Sequence, residues 1–131
     1  MQIGRPLLDV IVEHARQDAP NECCGMFGVE DDRVVAVFPA ENIHHSPLRF
    51  EIDGREVMRM IGEIEGRGWS LGLYHSHTMS RAYPSQTDVN FAELWPGVVW
   101  LIVSLEDADA PDVRTFLIDG PTVSEVDLTV E

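Results

Sequence analysis

The stretch that most constrains this chain is Val98-Val-Trp-Leu-Ile-Val-Ser-Leu105, apolar at every position but one. A run this short and this apolar, without period-two alternation, reads as a strand buried on both faces. Such a strand belongs inside a sheet, with neighbouring strands at its edges and helices over its faces.

The remaining segments supply those parts. From Pro6 to Asp18, Leu7, Leu8, Val10, Ile11 and Ala15 fall at helical spacing, and Pro20 closes the helix because the residue before a proline avoids helical geometry. Cys24 to Val29 and Val34 to Phe38 flank the turn Glu30-Asp31-Asp32, which predicts a hairpin. Asn42 to Pro47 is polar and turn-like, and Phe50 with Ile52 suggests another short strand. Asp53 reads as the N-cap of a helix over Gly54–Glu65 with Val57, Met58, Ile61 and Ile64 as its apolar stripe; Gly66 and Gly68 stop it. Trp69 to Tyr74 is a strand running into His75-Ser76-His77, followed by a loop from Thr78 to Pro84 and a helix from Ser85 to Leu94. After the acidic loop Glu106–Asp112, strands are expected around Val113–Ile118 and Val123–Leu128, flanking Gly120-Pro121. The expectation is an α/β fold: one domain over residues 1–131, a central mixed or mostly antiparallel sheet, and about three helices.

Composition excludes several function classes. The net charge of −14 opposes a phosphate backbone, and no basic stripe offsets it, so no nucleic-acid partner is expected. All nine cationic residues are arginines, so the chain has no lysine to form a Schiff base. No apolar run approaches a membrane span, and the N-terminal segment has acidic residues inside its apolar stretch, unlike a signal or transit peptide. Cys23 and Cys24 are adjacent, too close for an ordinary disulfide, and fit a reducing compartment. Cytoplasmic residence is the expectation.

The residues that carry chemistry begin with His75 and His77. At the end of a strand their period-two spacing puts both imidazoles on one face and Ser76 on the other. Eleven residues on lies Asp88, three after Ser85. With Ser85 as a helix cap, Asp88 sits in the first turn, where it can point back toward the histidines. Two imidazoles and one carboxylate suit Zn²⁺, and three protein ligands leave a fourth position for water, as in catalytic sites. Such a site also needs a base for the water proton and a donor for the carbonyl oxygen. Ser85 can be the donor. For the base, periodicity does not choose among Glu13, Glu22, Glu41 and Glu51.

The pattern His75-Ser-His77, seven residues, Ser85, two residues, Asp88 resembles the signature of the JAMM (MPN-plus) metallopeptidases. Glu22-Cys-Cys-Gly25 before Met26-Phe-Gly28 matches the family's upstream glutamate, and Asn42-x-x-x-Ser46-Pro47-x-x-Phe50-x-x-Asp53 matches a stretch of its compact bacterial members. The resemblance implies a cytidine-deaminase-like fold, one zinc per chain on His75, His77 and Asp88, Glu22 as general base, and Ser85 as oxyanion donor. Many deubiquitinating members carry proline after the second histidine, where this chain has Thr78. With Ala82-Tyr83-Pro84-Ser85-x-Thr87-Asp88, it instead resembles the Mec-type branch, which releases cysteine from the C-terminus of a ubiquitin-fold sulfur carrier during cysteine biosynthesis. The resemblance therefore implies a carrier with a Gly-Gly-type tail as partner, entering extended, with Ser46, Thr78 and Tyr83 as candidate substrate contacts and a homodimer as the assembly to test. A general isopeptidase acting on lysine and a non-catalytic MPN-type scaffold are the alternatives; the complete residue set argues against the scaffold.

The other conspicuous side chains have plainer readings. Cys23 and Cys24 are expected to pack the start of a strand, and Trp69, Trp95 and Trp100 to pack the sheet. His44 and His45 read as loop residues, and His14 as an exposed or dipole-favoured residue late in the first helix.

Overall fold

The computed structural model describes residues 1–131. In chain order the elements are β1 (Gln2–Ile3), α1 (Arg5–Asp18), β2 (Cys24–Glu30), β3 (Arg33–Ala40), α2 (Gly54–Gly66), β4 (Ser70–His77), α3 (Gln86–Ala92), β5 (Val99–Ser104), β6 (Asp112–Asp119), β7 (Thr122–Val126) and β8 (Thr129–Val130). They form one eight-stranded mixed sheet in the order β7-β6-β5-β4-β2-β3-β1-β8. Residues of β5 alternate between two apolar clusters: Trp100 and Ile102 face one side, Leu101 and Val103 the other. The apolar strand is thus covered on both faces, with α2 and α3 on the first side and α1 on the second. β5 runs parallel to β4 and antiparallel to β6, so its whole hydrogen-bonding capacity is used inside the sheet.

Local chemistry explains the connections. The β2–β3 hairpin turns through Asp31 and Asp32, both at positive φ, a conformation short polar side chains tolerate and two-residue hairpins require. Asp53 caps α2 by accepting a hydrogen bond from the Arg55 amide at 3.1 Å. Beyond α2, Gly68 takes a φ of +77°, which turns the chain into β4.

Several sequence expectations need correction. The segment of Phe50 and Ile52 is not a strand: both side chains are buried, but the Arg49 carbonyl and Glu51 amide bond the side chain of Asn42 instead of a neighbouring strand. On α2 the buried residues are Met60 and Ile64, while Met58 of the expected stripe is 72% exposed, because positions 57, 60, 61 and 64 share a face. α3 ends at Ala92, two residues earlier than expected. The last expected strand stops at Val126, and the chain then crosses to pair β8 with β1, a contact between the two ends of the chain with no local sequence signal. His14 is not exposed on α1: its Nδ1 lies 2.8 Å from the Tyr74 hydroxyl, beneath the sheet.

β2 and β4 are joined by two reciprocal pairs, Gly25 opposite Tyr74 and Phe27 opposite Gly72. Each ring lies over the bare backbone of its glycine, and a Cβ at Gly72 would overlap the Phe27 ring. Gly72→Ala is therefore expected to destabilise the protein by about 1–3 kcal/mol through overpacking. A urea or thermal melt compared with Gly62→Ala, where a Cβ meets open space, checks it.

Candidate metal centre

β4 carries His75 and His77 on the α2/α3 face, one turn of pleat apart, and Ser76 on the other, where its Oγ accepts a 2.8 Å hydrogen bond from the Cys23 amide. α3 brings in Asp88. Ser85 is the N-cap of that helix and forms a capping box with Asp88. The Asp88 amide donates to Ser85 Oγ at 3.1 Å and the Ser85 amide donates to Asp88 Oδ2 at 2.9 Å. The same Oδ2 lies 3.1 Å from Nε2 of both histidines, which are themselves 3.1 Å apart.

These distances fit an ion. Ligand atoms about 2.0–2.1 Å from a tetrahedral centre stand about 3.3 Å from one another, close to the spacing of the three donors. All three residues are buried, and their donor atoms converge within 4.8 Å. His77 Nδ1 lies 2.9 Å from the Arg81 carbonyl, which can only accept. The neutral ring therefore carries its proton on Nδ1 and turns the Nε2 lone pair into the cluster, and the charged ring adds a proton at Nε2 facing Asp88. His75 is held by packing: its ring stacks on Phe50 with centroids 4.7 Å apart, and Trp100 meets it edge-on.

The electrostatics follow from burial of so many polar groups together. Burial opposes the charge on Asp88, but the His75 charge, hydrogen bonds from both histidines and the Ser85 amide hold the carboxyl far below the usual range. Burial also opposes a charged His77, yet its bonds to Asp88 and the Arg81 carbonyl prevail and raise its affinity for a proton. A proton and a metal ion thus compete for the same Nε2.

Glu22 lies beside this cluster, on the short link between α1 and β2. It is 4% exposed, and its Oε1 has no hydrogen-bond partner. Burial pushes its carboxyl up to about 7, with His75 and His77 pulling it down and Asp88 pushing it further up. Its backbone is fixed at both ends: the amide donates to the Ser46 carbonyl at 2.9 Å, and the carbonyl accepts from Asn42 Nδ2 at 3.0 Å. Of the four glutamates open to sequence reasoning, Glu41 and Glu51 pair with His45 and His44 on the surface.

Of the remaining candidates, Thr78 and Ser46 touch the segment holding Glu22, whereas Tyr83 lines a separate cavity with Asp112, Arg114 and Glu125. Thr78 donates its hydroxyl to the Pro20 carbonyl at 3.0 Å and so ties the loop after β4 to the segment holding Glu22. The Ser46 hydroxyl accepts from the Leu48 amide at 3.1 Å. Tyr83 is 41% exposed, packed against Phe116 with the Arg81 guanidinium over its ring. Cys23 and Cys24 are fully buried free thiols; burial pushes Cys23 up to about 12 and Cys24 higher still. Sequence reasoning did not find Asn42 as the clamp on Glu22, Phe50 as the platform under His75, or the Arg81 carbonyl. Only Asn42 had a usable signal, as a lone amide in a turn-rich stretch between two apolar segments.

Comparison with known proteins agrees with this geometry. The family described as prokaryotic homologs of the JAB domain matches residues 4–119. A CysO-cysteine peptidase of Mycobacterium tuberculosis is 33% identical over 127 residues, covering 94% of this chain and 86% of its own length. A desampylase of Haloferax volcanii is 38% identical over 104 residues, or 73% of this chain and 74% of its own. A solution structure of a protein from Desulfitobacterium hafniense has a TM-score of 0.86 at 32% identity, covering 99% of this chain and 92% of that one. No helix here is long and apolar enough to cross a membrane. With nearly its whole length matched, the chain belongs to the prokaryotic JAB-domain family and is a JAMM-type hydrolase.

Proposed function

We propose that this hydrolase uses zinc on His75, His77 and Asp88 to cleave the amide bond between the C-terminal glycine of a ubiquitin-like sulfur carrier and cysteine, in cytoplasmic cysteine biosynthesis. The observation that carries this reading is Glu22: a buried carboxylate, one oxygen unpartnered, set beside a convergent two-histidine, one-aspartate donor set. The carrier and the leaving group are suggested by the name of the mycobacterial relative, which matches 94% of this chain.

Zinc, when bound, would polarise the substrate carbonyl and acidify its water. Glu22 would take a water proton beside the donor set and pass it to the leaving nitrogen, a task its buried position there suits. Ser85 does two things at once. Its oxygen accepts the Asp88 amide while its hydroxyl hydrogen remains to donate to the carbonyl oxygen as charge gathers there. The Arg81 carbonyl holds His77 in the ligating tautomer, and Phe50 holds the plane of His75. The glycine-rich tail would enter extended, past Thr78, Tyr83 and Ser46, pairing its backbone with the sheet's own. A second reading, release of a ubiquitin-like modifier from lysine, is favoured by the desampylase relative.

Purified protein given a carrier ending in Gly-Gly-Cys is expected to release cysteine, and chelator to stop it. Cleavage of a lysine isopeptide alone would favour the second reading. Glu22→Gln is expected to keep its zinc and lose activity by about 10²-fold or more, and Ser85→Ala by about 10²-fold. Retention of full activity by Glu22→Gln would remove the proposed base. His77→Ala is expected to lose zinc, read by metal analysis, and zinc uptake by the wild type to weaken as pH falls because protons compete for His77.

A stability measurement probes Glu22 independently. In the metal-free protein its carboxyl is raised from 4.5 to about 7, so the folded state holds that proton more tightly than the unfolded chain. The resulting stability is full below about pH 4.5 and is lost as pH rises through 7. Glu22→Gln removes the buried charge and is expected to raise the unfolding free energy at pH 8 by on the order of 2 kcal/mol, with little gain at pH 4.

A further inference from the structure

The β2–β3 ladder ends at the pair Cys24–Ala40. Continuing that register by two residues sets Glu22 opposite Asn42, and there a side chain takes over from the backbone: Asn42 Nδ2 donates to the Glu22 carbonyl at 3.0 Å. The same nitrogen donates to the Arg49 carbonyl at 3.0 Å, while Oδ1 accepts from the amides of His44 at 3.1 Å and Glu51 at 3.2 Å. A side-chain amide has two donor hydrogens and two acceptor lone pairs, and in Asn42, which is buried, all are used. Both partners of the nitrogen are carbonyls and both partners of the oxygen are amides, which fixes the orientation of the group.

These bonds join two parts of the site. Arg49 and Glu51 flank Phe50, whose ring stacks on His75. Asn42 thus holds the backbone on both sides of the platform under one metal-ligating ring and, with its other donor, the backbone of Glu22. Closing the segment after β3 does not require that last bond. The segment closes on itself through the Ile43 amide on the Glu51 carbonyl at 3.0 Å and the His45 amide on the Asn42 carbonyl at 3.1 Å. The bond to the His44 amide is the turn an asparagine makes with the residue two further on. Neither accounts for the donor aimed at Glu22, 20 residues away in the chain.

We infer that Asn42 is a positioning residue for the hydrolysis, acting through Glu22 by setting that carboxylate against the Phe50–His75 stack. Proton transfer requires contact at about 2.6–3.2 Å, so a small displacement of Glu22 is felt in the rate.

The inference rests on Glu22 as the base, and the variants separate the two. Asn42→Asp keeps both acceptors but sets an oxygen against the carbonyls of Glu22 and Arg49. Asn42→Ser is too short to reach Glu22 and adds no charge. Ile11→Val, buried in the cluster under α1, lowers stability away from the site and serves as the reference. All are assayed on the Gly-Gly-Cys carrier well below their melting temperatures. Either Asn42 variant is expected to lower kcat about tenfold or more, with KM changed by no more than about twofold and zinc content unchanged, and Ile11→Val to leave all three as they are. Combined with Glu22→Gln, either Asn42 variant is expected to cost nothing further, since a clamp on the base has no effect once the base is gone. A further loss of about tenfold in the double variant marks a merely structural role and overturns the inference.

The metal-free protein gives a readout without turnover. Hydrogen exchange at the Glu22 amide, which donates to the Ser46 carbonyl, is expected to quicken about tenfold in Asn42→Ser beyond any change in Ile11→Val. Unchanged exchange there, or unchanged kcat in both Asn42 variants, overturns the inference while the metal chemistry stands. Full activity of Glu22→Gln defeats the parent reading instead, even where the Glu22 amide is loosened.

Discussion

The register between β2 and β4 is the constraint on which the site depends. Cys24 stands opposite His75 in an antiparallel ladder, and the pairing continues through Gly25–Tyr74, Met26–Leu73 and Phe27–Gly72. A slip of one residue would send both imidazoles to the α1 face and bring Ser76 into the donor cluster. The two glycine–aromatic pairs oppose that slip, because each ring fits only over a position without a Cβ. Glu22 reaches the cluster by the same register: it precedes Cys24 by two residues and so falls at the level of His77. Packing of Phe27 and Tyr74 on the α1 face thereby sets the geometry of the donor cluster on the other.

The site gathers polar groups that the fold alone would not choose to bury. Glu22 and Asp88 are both 4% exposed, and an oxygen of Glu22 and Nδ1 of His75 lack partners. Each such group costs free energy that hydrophobic burial elsewhere must offset. Here the cover comes from a sheet packed on both sides, with Trp100 and Phe116 on one and Leu101 and Tyr74 on the other. The Ser85–Asp88 capping box shows how economically the arrangement is made: the bonds that start α3 also orient the third donor.

Much of this was legible in the sequence because it depends on short-range periodicity. The two-residue spacing of His75 and His77, the cap at Ser85, the turn at Asp31-Asp32 and the buried character of Val98–Leu105 are properties of local backbone geometry. The departures share one cause. Met60 replaced Met58 in the core because a helix's orientation toward its sheet is a tertiary choice. Phe50 and Ile52 alternate like a strand but have no neighbouring strand, since Asn42 takes the hydrogen bonds one would have made. His14 reads in the sequence as an exposed or dipole-favoured residue because nothing in α1 announces that Tyr74, sixty residues on, lies beneath it.

By itself the sequence determined the donor set and its order: two histidines on one strand face, then a capped helix whose first turn supplies a carboxylate. These follow from dihedral preferences over spans of a few residues. It left four glutamates as candidates for the base, separable only through resemblance to a family. Tertiary structure alone decided which carboxylate stands beside the cluster and which side chains clamp it. The reason is physical: Glu22 and the histidines of β4 are distant in the chain and meet through a sheet register, and burial, which sets the proton affinity of Glu22, has no meaning until the chain is folded.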